Sequence, residues 1–160
     1  MFRAKVGNDG SWTDIKPVHF NSDEYSVAHP TLSVDEKKLY FASDMPGGQG
    51  QSDIYKVAIN SDGTFGEPEN LGSDINTEGR EFFPYISSNN TLYFSSDGHL
   101  GIGGLDVFAA KVKDNSYGAV RNLGTPLNSN SDDFSFTFNE DSKKGFVASN
   151  RDGGKGSDDI

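Results

Sequence analysis

The chain has 160 residues and a formal net charge of −10, which excludes nucleic-acid binding because phosphate contacts require a basic surface. It contains no cysteine, so disulfides, thiolate metal sites and a cysteine nucleophile are excluded too. No apolar run approaches the ~20 residues of a membrane span, and "MFRAKV" at 1–6 lacks the apolar stretch of a signal peptide. We therefore expect no direct membrane insertion, and any export signal would lie outside this sequence.

Short strands joined by turns are predicted along the whole chain. In chain order they cover "MFRAKV" (1–6), "HPTLS" (29–33), "LYFAS" (39–43), "DIYKVAI" (53–59) and a weaker strand near "PENLG" (68–72). Tyr55, Val57 and Ile59 alternate with polar residues, which is typical of a strand with one buried face. The "NSDG" turn at 60–63 is typical of a hairpin because glycine accepts a positive φ. No helix is predicted.

A repeat of 53 residues organises the sequence. "SDMPGGQGQSDIY" (43–55), "SDGHLGIGGLDVF" (96–108) and "SNRDGGKGSDDI" (149–160) align at this spacing. "FGEPENLGSDIN" (65–76) likewise matches "YGAVRNLGTPLN" (117–128) and the looser "WTDIKPVHFN" (12–21). The units are 1–53, 54–106 and 107–159, with four short strands in each. Such units are typical of β-propeller blades, so the predicted fold is an all-β propeller segment with three blade equivalents.

The residues at 29–55 resemble the TolB-like, WD-related propeller repeat, and 128–160 is similar to propellers of OmpA-family envelope proteins in Bacteroidota. Some members of that group belong to the type IX secretion and gliding machinery. The resemblance implies a non-catalytic protein-binding scaffold in the periplasm or at the outer membrane, with an envelope protein as partner. "SSNNTL" (87–92) and Met45 depart from the family pattern. No OmpA-like domain is present, so peptidoglycan binding is not implied for these residues.

Alternating strand directions place two sets of connections on one side, which we call the loop face. They are the connections before the first strand of each blade and the glycine loops at 45–52, 98–105 and 151–158. Propeller ligands commonly bind where such loops converge, an inference from fold alone. The candidate binding residues are Glu24, Tyr25, His29, Arg80, Glu81, Asp132 and Asp133, with Asp23, Phe82 and Phe134 beside them.

Aspartates flank the glycine loops. Asp44, Asp97 and Asn150 open these loops, and Asp53, Asp106 and Asp159 close them. The carboxylates Asp44, Asp53, Asp97 and Asp106 offer oxygen ligands for calcium. Their recurrence favours the other interpretation, in which they cap turns by accepting backbone N–H bonds. No cofactor is expected.

Catalytic motifs are not apparent. His19, His29 and His99 lack the spacing of zinc ligands, and no G-x-S-x-G elbow occurs. We therefore predict no enzymatic activity and no catalytic residue. The alternative function is a carbohydrate-binding or glycan-processing propeller, in which Trp12, Tyr25 and Phe82 stack on sugar rings. Trp12 aligns with Phe65 and Tyr117, however, and is expected to pack between blades.

Three blade equivalents cannot close a ring, since propellers need at least about four blades. An open array leaves strand edges unpaired. Either a longer chain supplies further blades, about six in total, or two copies complete one another. The family resemblance favours the longer chain.

Overall fold

The computed structural model describes residues 1–114 and 116–160, and the described residues form an all-β fold without helices. The strands are β1 (Phe2–Val6), β2 (Trp12–Pro17), β3 (Val27–Leu32), β4 (Lys38–Ser43), β5 (Asp53–Ala58), β6 (Glu69–Asn70), β7 (Glu81–Ile86), β8 (Thr91–Ser96), β9 (Asp106–Lys113), β10 (Ser116–Tyr117), β11 (Arg121–Asn122), β12 (Asp133–Asn139) and β13 (Lys144–Ser149). The all-β class predicted from the sequence is confirmed.

These strands form small antiparallel sheets that follow one another along the chain. The two interior sheets are β3–β4–β5–β6 and β7–β8–β9, the latter extended by β10 and β11, which both pair with β9. The two terminal sheets are β1–β2 and β12–β13. Each interior sheet is a meander, because strands that follow one another in sequence are antiparallel neighbours in the sheet.

Consecutive sheets pack against each other through apolar side chains. Between the interior sheets, the first sheet supplies Tyr40 and Ile54, the connection after β6 supplies Leu71 and Ile75, and the second sheet supplies Ile86, Leu92, Phe94, Phe108 and Ala110. A second cluster joins Val18 and Phe20, which follow β2, to Leu39, Phe41, Tyr55 and Val57. Ile54 and Tyr55 thus lie in different clusters. Strand β5 is buried on both faces, as its nearly continuous apolar sequence requires.

Backbone hydrogen bonds also join one sheet to the next. The amide of Glu81 donates to Ser52 O (2.8 Å), and the amide of Asp133 donates to Leu105 O (2.6 Å). Both bonds run from the start of one sheet's first strand to the glycine loop of the preceding sheet. The first strands β3, β7 and β12, here called the inner strands, therefore lie side by side.

Each inner strand contains a β-bulge with a non-glycine residue at positive φ. The residues are His29 (54°), Phe83 (51°) and Ser135 (53°), and the ladder to the following strand shifts register at all three. A bulge re-aims side chains locally. It also lets pairing continue before the bulge, which explains why β3 begins at Val27 and not at residue 29 as predicted.

Equivalent asparagines, two of them buried and Asn21 half-buried, bind the starts of β1, β5 and β9 to connections further along the chain. Asn76 accepts from Ile54 N (2.8 Å) and donates to Ile54 O (3.0 Å). Asn128 does the same with Val107, at 2.8 and 2.9 Å. Asn21 accepts from the Met1 amino group and donates to Met1 O, both at 2.7 Å. The β1–β2 sheet therefore has the local geometry of the outer half of an interior sheet.

The terminal sheets leave apolar side chains in solvent. Phe2 is 69% exposed, Trp12 68% and Phe146 67%. The expectation that Trp12 packs between blades is wrong in this structure, although its equivalents Phe65 and Tyr117 do pack against the clusters between sheets. Trp12 differs because the described chain places no sheet against its side of β1–β2.

Candidate binding face

The connections before the inner strands lie against the glycine loops, so the structure brings the elements of the loop face together. Asp44 Oδ1 accepts from Ser26 N (2.6 Å), and Asp97 Oδ1 accepts from Arg80 N (2.7 Å). Asn150 Oδ1 accepts from Asp132 N (2.8 Å). The residue that opens each glycine loop thus caps the residue that precedes an inner strand, in all three units.

The aspartates that close the loops bind the loop from inside. Asp53 Oδ2 accepts from Gln49 N and from Asn70 Nδ2 (2.9 Å), and Asp106 Oδ2 accepts from Ile102 N and Gly103 N. The Oδ1 atoms of both aspartates are buried without a hydrogen-bond partner among the described residues. In residues 1–114 and 116–160, no three His, Asp or Glu side chains are grouped as a metal site. Asp44, Asp53, Asp97 and Asp106 accept backbone N–H bonds here, as the favoured turn-capping interpretation expects, and calcium binding stays the untested alternative.

Glu81 begins β7 and is fully buried, with 0% exposure. Its carboxylate accepts from Thr77 N (2.9 Å), Thr77 Oγ1 (2.7 Å) and Ser96 Oγ (2.6 Å). These donors replace water around the charge, so burial is compensated by hydrogen bonds. The carboxylate therefore holds the preceding connection against the sheet beneath the loop face.

Asp133 occupies the same position at the start of β12 and is also 0% exposed. Burial alone would raise the pKa of its carboxyl, but hydrogen bonds from Ser149, Arg151 and Ser129 together lower the pKa below its ordinary value. Arg151 also donates to Leu127 O (2.6 Å), so its guanidinium joins the glycine loop to the connection before β12.

Arg80 and Asp132 are partly accessible. The Arg80 guanidinium donates to Asp97 Oδ2 through Nε (2.7 Å) and Nη2 (2.6 Å) and lies 6.0 Å from the Phe82 ring centre. Asp132 accepts from Leu105 N (2.8 Å) and from Asn150 Nδ2 (3.0 Å). Both side chains present charge at the surface while stabilising the loops.

The candidate binding residues at and before the start of β3 differ in their exposure and contacts. Glu24 is exposed, whereas Tyr25 is half-buried and donates through its hydroxyl to Phe20 O (3.2 Å). His29 stacks on Phe83, with ring centres 3.9 Å apart. Burial lowers the pKa of His29, which favours the neutral imidazole, and its Nδ1 has no hydrogen-bond partner among the described residues.

The inner strands form an aromatic groove, which the sequence analysis did not identify. Its volume is about 370 Å³, and it is lined by residues 29–31, 83–85 and 135–137, the equivalent stretch of each inner strand. Phe83 stacks on His29 and lies 5.3 Å from the Phe134 ring, so three rings form a continuous stack. The recurrence of proline after an aromatic residue, at His29-Pro30 and Phe83-Pro84, was the available sequence signal.

No protein-family model matches this chain, and no curated protein matches it at a significant level. Within the described residues, no helix combines the length and apolar character needed to cross a membrane.

Proposed function

We propose that this chain is a β-propeller segment that acts as a non-catalytic protein-binding scaffold in the bacterial envelope. The arrangement of the strands supports the propeller: small antiparallel meanders follow one another, and their first strands lie side by side. The equivalent hydrogen bonds at Glu81 and Asp133 support it further, because they repeat the same step from sheet to sheet.

The binding proposal rests on the loop face. There, hydrogen bonds join the glycine loop of one sheet to the first strand of the next, so the loops form one continuous surface. Exposed acids lie along it at Asp23, Glu24, Glu78, Asp152 and Asp158. Acidic side chains arranged in this way favour a partner segment with basic residues and speed its association. The adjoining aromatic groove offers apolar contacts of the kind that anchor protein interfaces.

Charge reversal tests this assignment. The double variant Glu24→Lys/Glu78→Lys changes two exposed acids on the loop face. The probe is a fluorescent, extended peptide containing lysine, arginine and one tryptophan, and binding is measured by fluorescence anisotropy at two salt concentrations. We expect saturable binding to the unmodified chain and a loss of at least about tenfold in affinity for the variant, since two attractive charges become repulsive.

The matched control is Glu36→Lys/Asp141→Lys, which makes the same charge change in exposed turns at the opposite ends of the strands. It should retain most of the affinity. Equal losses in both variants would show that only net charge matters and would contradict a loop-face site. Saturable binding of soluble peptidoglycan fragments or polysaccharides, without peptide binding, would favour the carbohydrate alternative.

A further inference from the structure

A cavity of about 220 Å³ lies between the two interior sheets. Three exposed residues of the loop face form its rim, namely Asp44, Gln51 and Arg80. The cavity therefore opens on the same surface as the proposed binding site. Sites that enclose a whole small molecule usually measure about 300–1,000 Å³, so a cavity of this size fits a single side chain of a partner.

Two small residues create the space. Ala28 and Ala42 both line the cavity, and they lie opposite each other in the β3–β4 ladder. Ala28 directly precedes the bulge residue of its inner strand. The residues that precede the bulges of β7 and β12 are Phe82 and Phe134. The first interior sheet thus has a methyl group at the position where each of the next two sheets has a phenyl ring.

The second interior sheet contributes an aromatic wall. Phe82 lines the cavity, and the Arg80 guanidinium lies 6.0 Å from the centre of its ring. Asp97 holds that guanidinium through Nε at 2.7 Å and Nη2 at 2.6 Å, so the cation stays beside the ring. A second aromatic ring in the cavity would gain contact with Phe82 and attraction to the guanidinium.

Acidic residues lie at the rim. Asp44 is exposed, and so is Glu78. Glu78 lies against the glycine loop, since a Cβ on Gly50 would be 2.7 Å from the Glu78 carbonyl carbon. The charge of Arg80 is balanced by Asp97, so the two exposed carboxylates leave the rim negative. This charge favours basic residues beside any ring that enters the cavity.

We propose that the cavity binds an aromatic side chain of the protein partner, from a segment that carries lysine or arginine beside that ring. The ring supplies the group that Ala28 lacks. It would anchor the partner at the loop face, a role that rests on the proposed function. All residues that line the cavity lie between residues 26 and 82, so the site does not involve the terminal sheets.

Filling the cavity tests the proposal. Ala28→Phe introduces the side chain that β7 and β12 already carry at this position, and circular dichroism checks that the variant folds. The probe is the fluorescent peptide with lysine, arginine and one tryptophan. We expect Ala28→Phe to lower its affinity at least about tenfold. A peptide with alanine in place of tryptophan should bind the unmodified chain about tenfold more weakly, and should bind Ala28→Phe as well as the tryptophan peptide does.

Ala58→Phe is the matched control. It adds the same ring at an exposed residue at the other end of β5, where Ala58 pairs with Lys38, and should retain the affinity. Ala28→Leu fills the cavity in part and should give an intermediate loss, so the result does not depend on one variant. Equal losses in Ala28→Phe and Ala58→Phe would overturn the proposal.

A neutral probe separates this site from the proposed function. N-acetyltryptophanamide carries the ring without the charges, and nuclear magnetic resonance follows its binding at the Ala42 methyl group. We expect a saturable shift in the unmodified chain and in Glu24→Lys/Glu78→Lys, and none in Ala28→Phe. Methyl shifts without any peptide binding would support the cavity site and contradict the basic partner of the loop-face proposal.

Two results would contradict the cavity site while leaving the loop face in place. The first is equal affinity for the tryptophan and alanine peptides without a methyl shift, while charge reversal still weakens both. The second is a methyl shift with N-acetylglucosamine or glucose but not with the amide, which would favour the carbohydrate alternative.

Discussion

Strands β5 and β1 occupy the same place in the repeat, yet one is buried and the other is exposed. Tyr55 and Val57 in β5 are 4% and 1% exposed, because the neighbouring sheet covers them. Phe2 in β1, the equivalent of Tyr55, is 69% exposed. Alternating apolar residues therefore specify a strand and its face. Whether that face is buried depends on the next sheet in the array.

The largest expected difference in unfolding free energy is between alanine variants of two equivalent phenylalanines, Phe108 and Phe2. Phe108→Ala removes a ring that is 2% exposed and packs 6.0 Å from Phe94, which should lower the free energy of unfolding by about 3–5 kcal/mol. Phe2→Ala removes an exposed ring, and we expect a change below about 0.5 kcal/mol. Urea denaturation should be measured at a concentration where light scattering gives the mass of one chain. Similar losses for both variants would contradict the distinction between interior and terminal sheets.

A glycine pair tests the contact between sheets. A Cβ on Gly103 would lie 2.2 Å from Ser131 O in the connection before the next sheet, whereas a Cβ on Gly156, at the equivalent position, would lie no closer than 3.4 Å to its neighbours. Gly103→Ala should cost about 1–3 kcal/mol through forced separation of the backbones. Gly156→Ala should be nearly neutral under the same dilute conditions. A tolerated Gly103→Ala, with an unchanged thermal midpoint, would show that the two sheets are not in close contact.

The smallest expected difference in unfolding free energy is between variants of two equivalent asparagines, Asn76 and Asn21. Asn76→Ala leaves the amide of buried Ile54 unpaired and removes one of the two donors to its carbonyl, the other being the Leu71 amide, so it should cost about 2–3 kcal/mol. Asn21→Ala breaks the equivalent bonds, but Asn21 is only half-buried and water can replace it, so we expect about 1 kcal/mol. Hydrogen exchange at the Ile54 amide gives a local check. A greater loss for Asn21→Ala would reverse the comparison.

The central strands could be predicted from the sequence because their pattern is local. "LYFAS" and "DIYKVAI" correspond to β4 and β5 within one residue at each end. The starts of the inner strands were harder to predict from the sequence. The bulge residues are His29, Phe83 and Ser135, which adopt a positive φ although none is glycine. The sequence therefore has no residue type at these positions that predicts a bulge.

The candidate site was only partly predictable. That the glycine loops share one side with the connections before the inner strands was predicted from the alternating strand directions, but the bonds between them were not. The burial of Glu81 and Asp133 was not predicted either, since a carboxylate in a turn-rich sequence usually lies in solvent. Thr77 and Ser129 donate from only four residues upstream, whereas Ser96 and Arg151 donate from 15 and 18 residues away, so only the fold identifies these two. Asn21, Asn76 and Asn128 were visible as the shared last residue of three aligned segments.

The backbone bonds from Ser52 to Glu81 and from Leu105 to Asp133 have an evolutionary consequence. Each links only adjacent sheets, and each recurs at the spacing of one repeat. A gene duplication or deletion of one whole unit would therefore preserve the contacts within every remaining sheet and recreate the junction at the splice. The number of sheets can change without redesign of any single one, whereas an insertion of a few residues inside a unit would disturb its register.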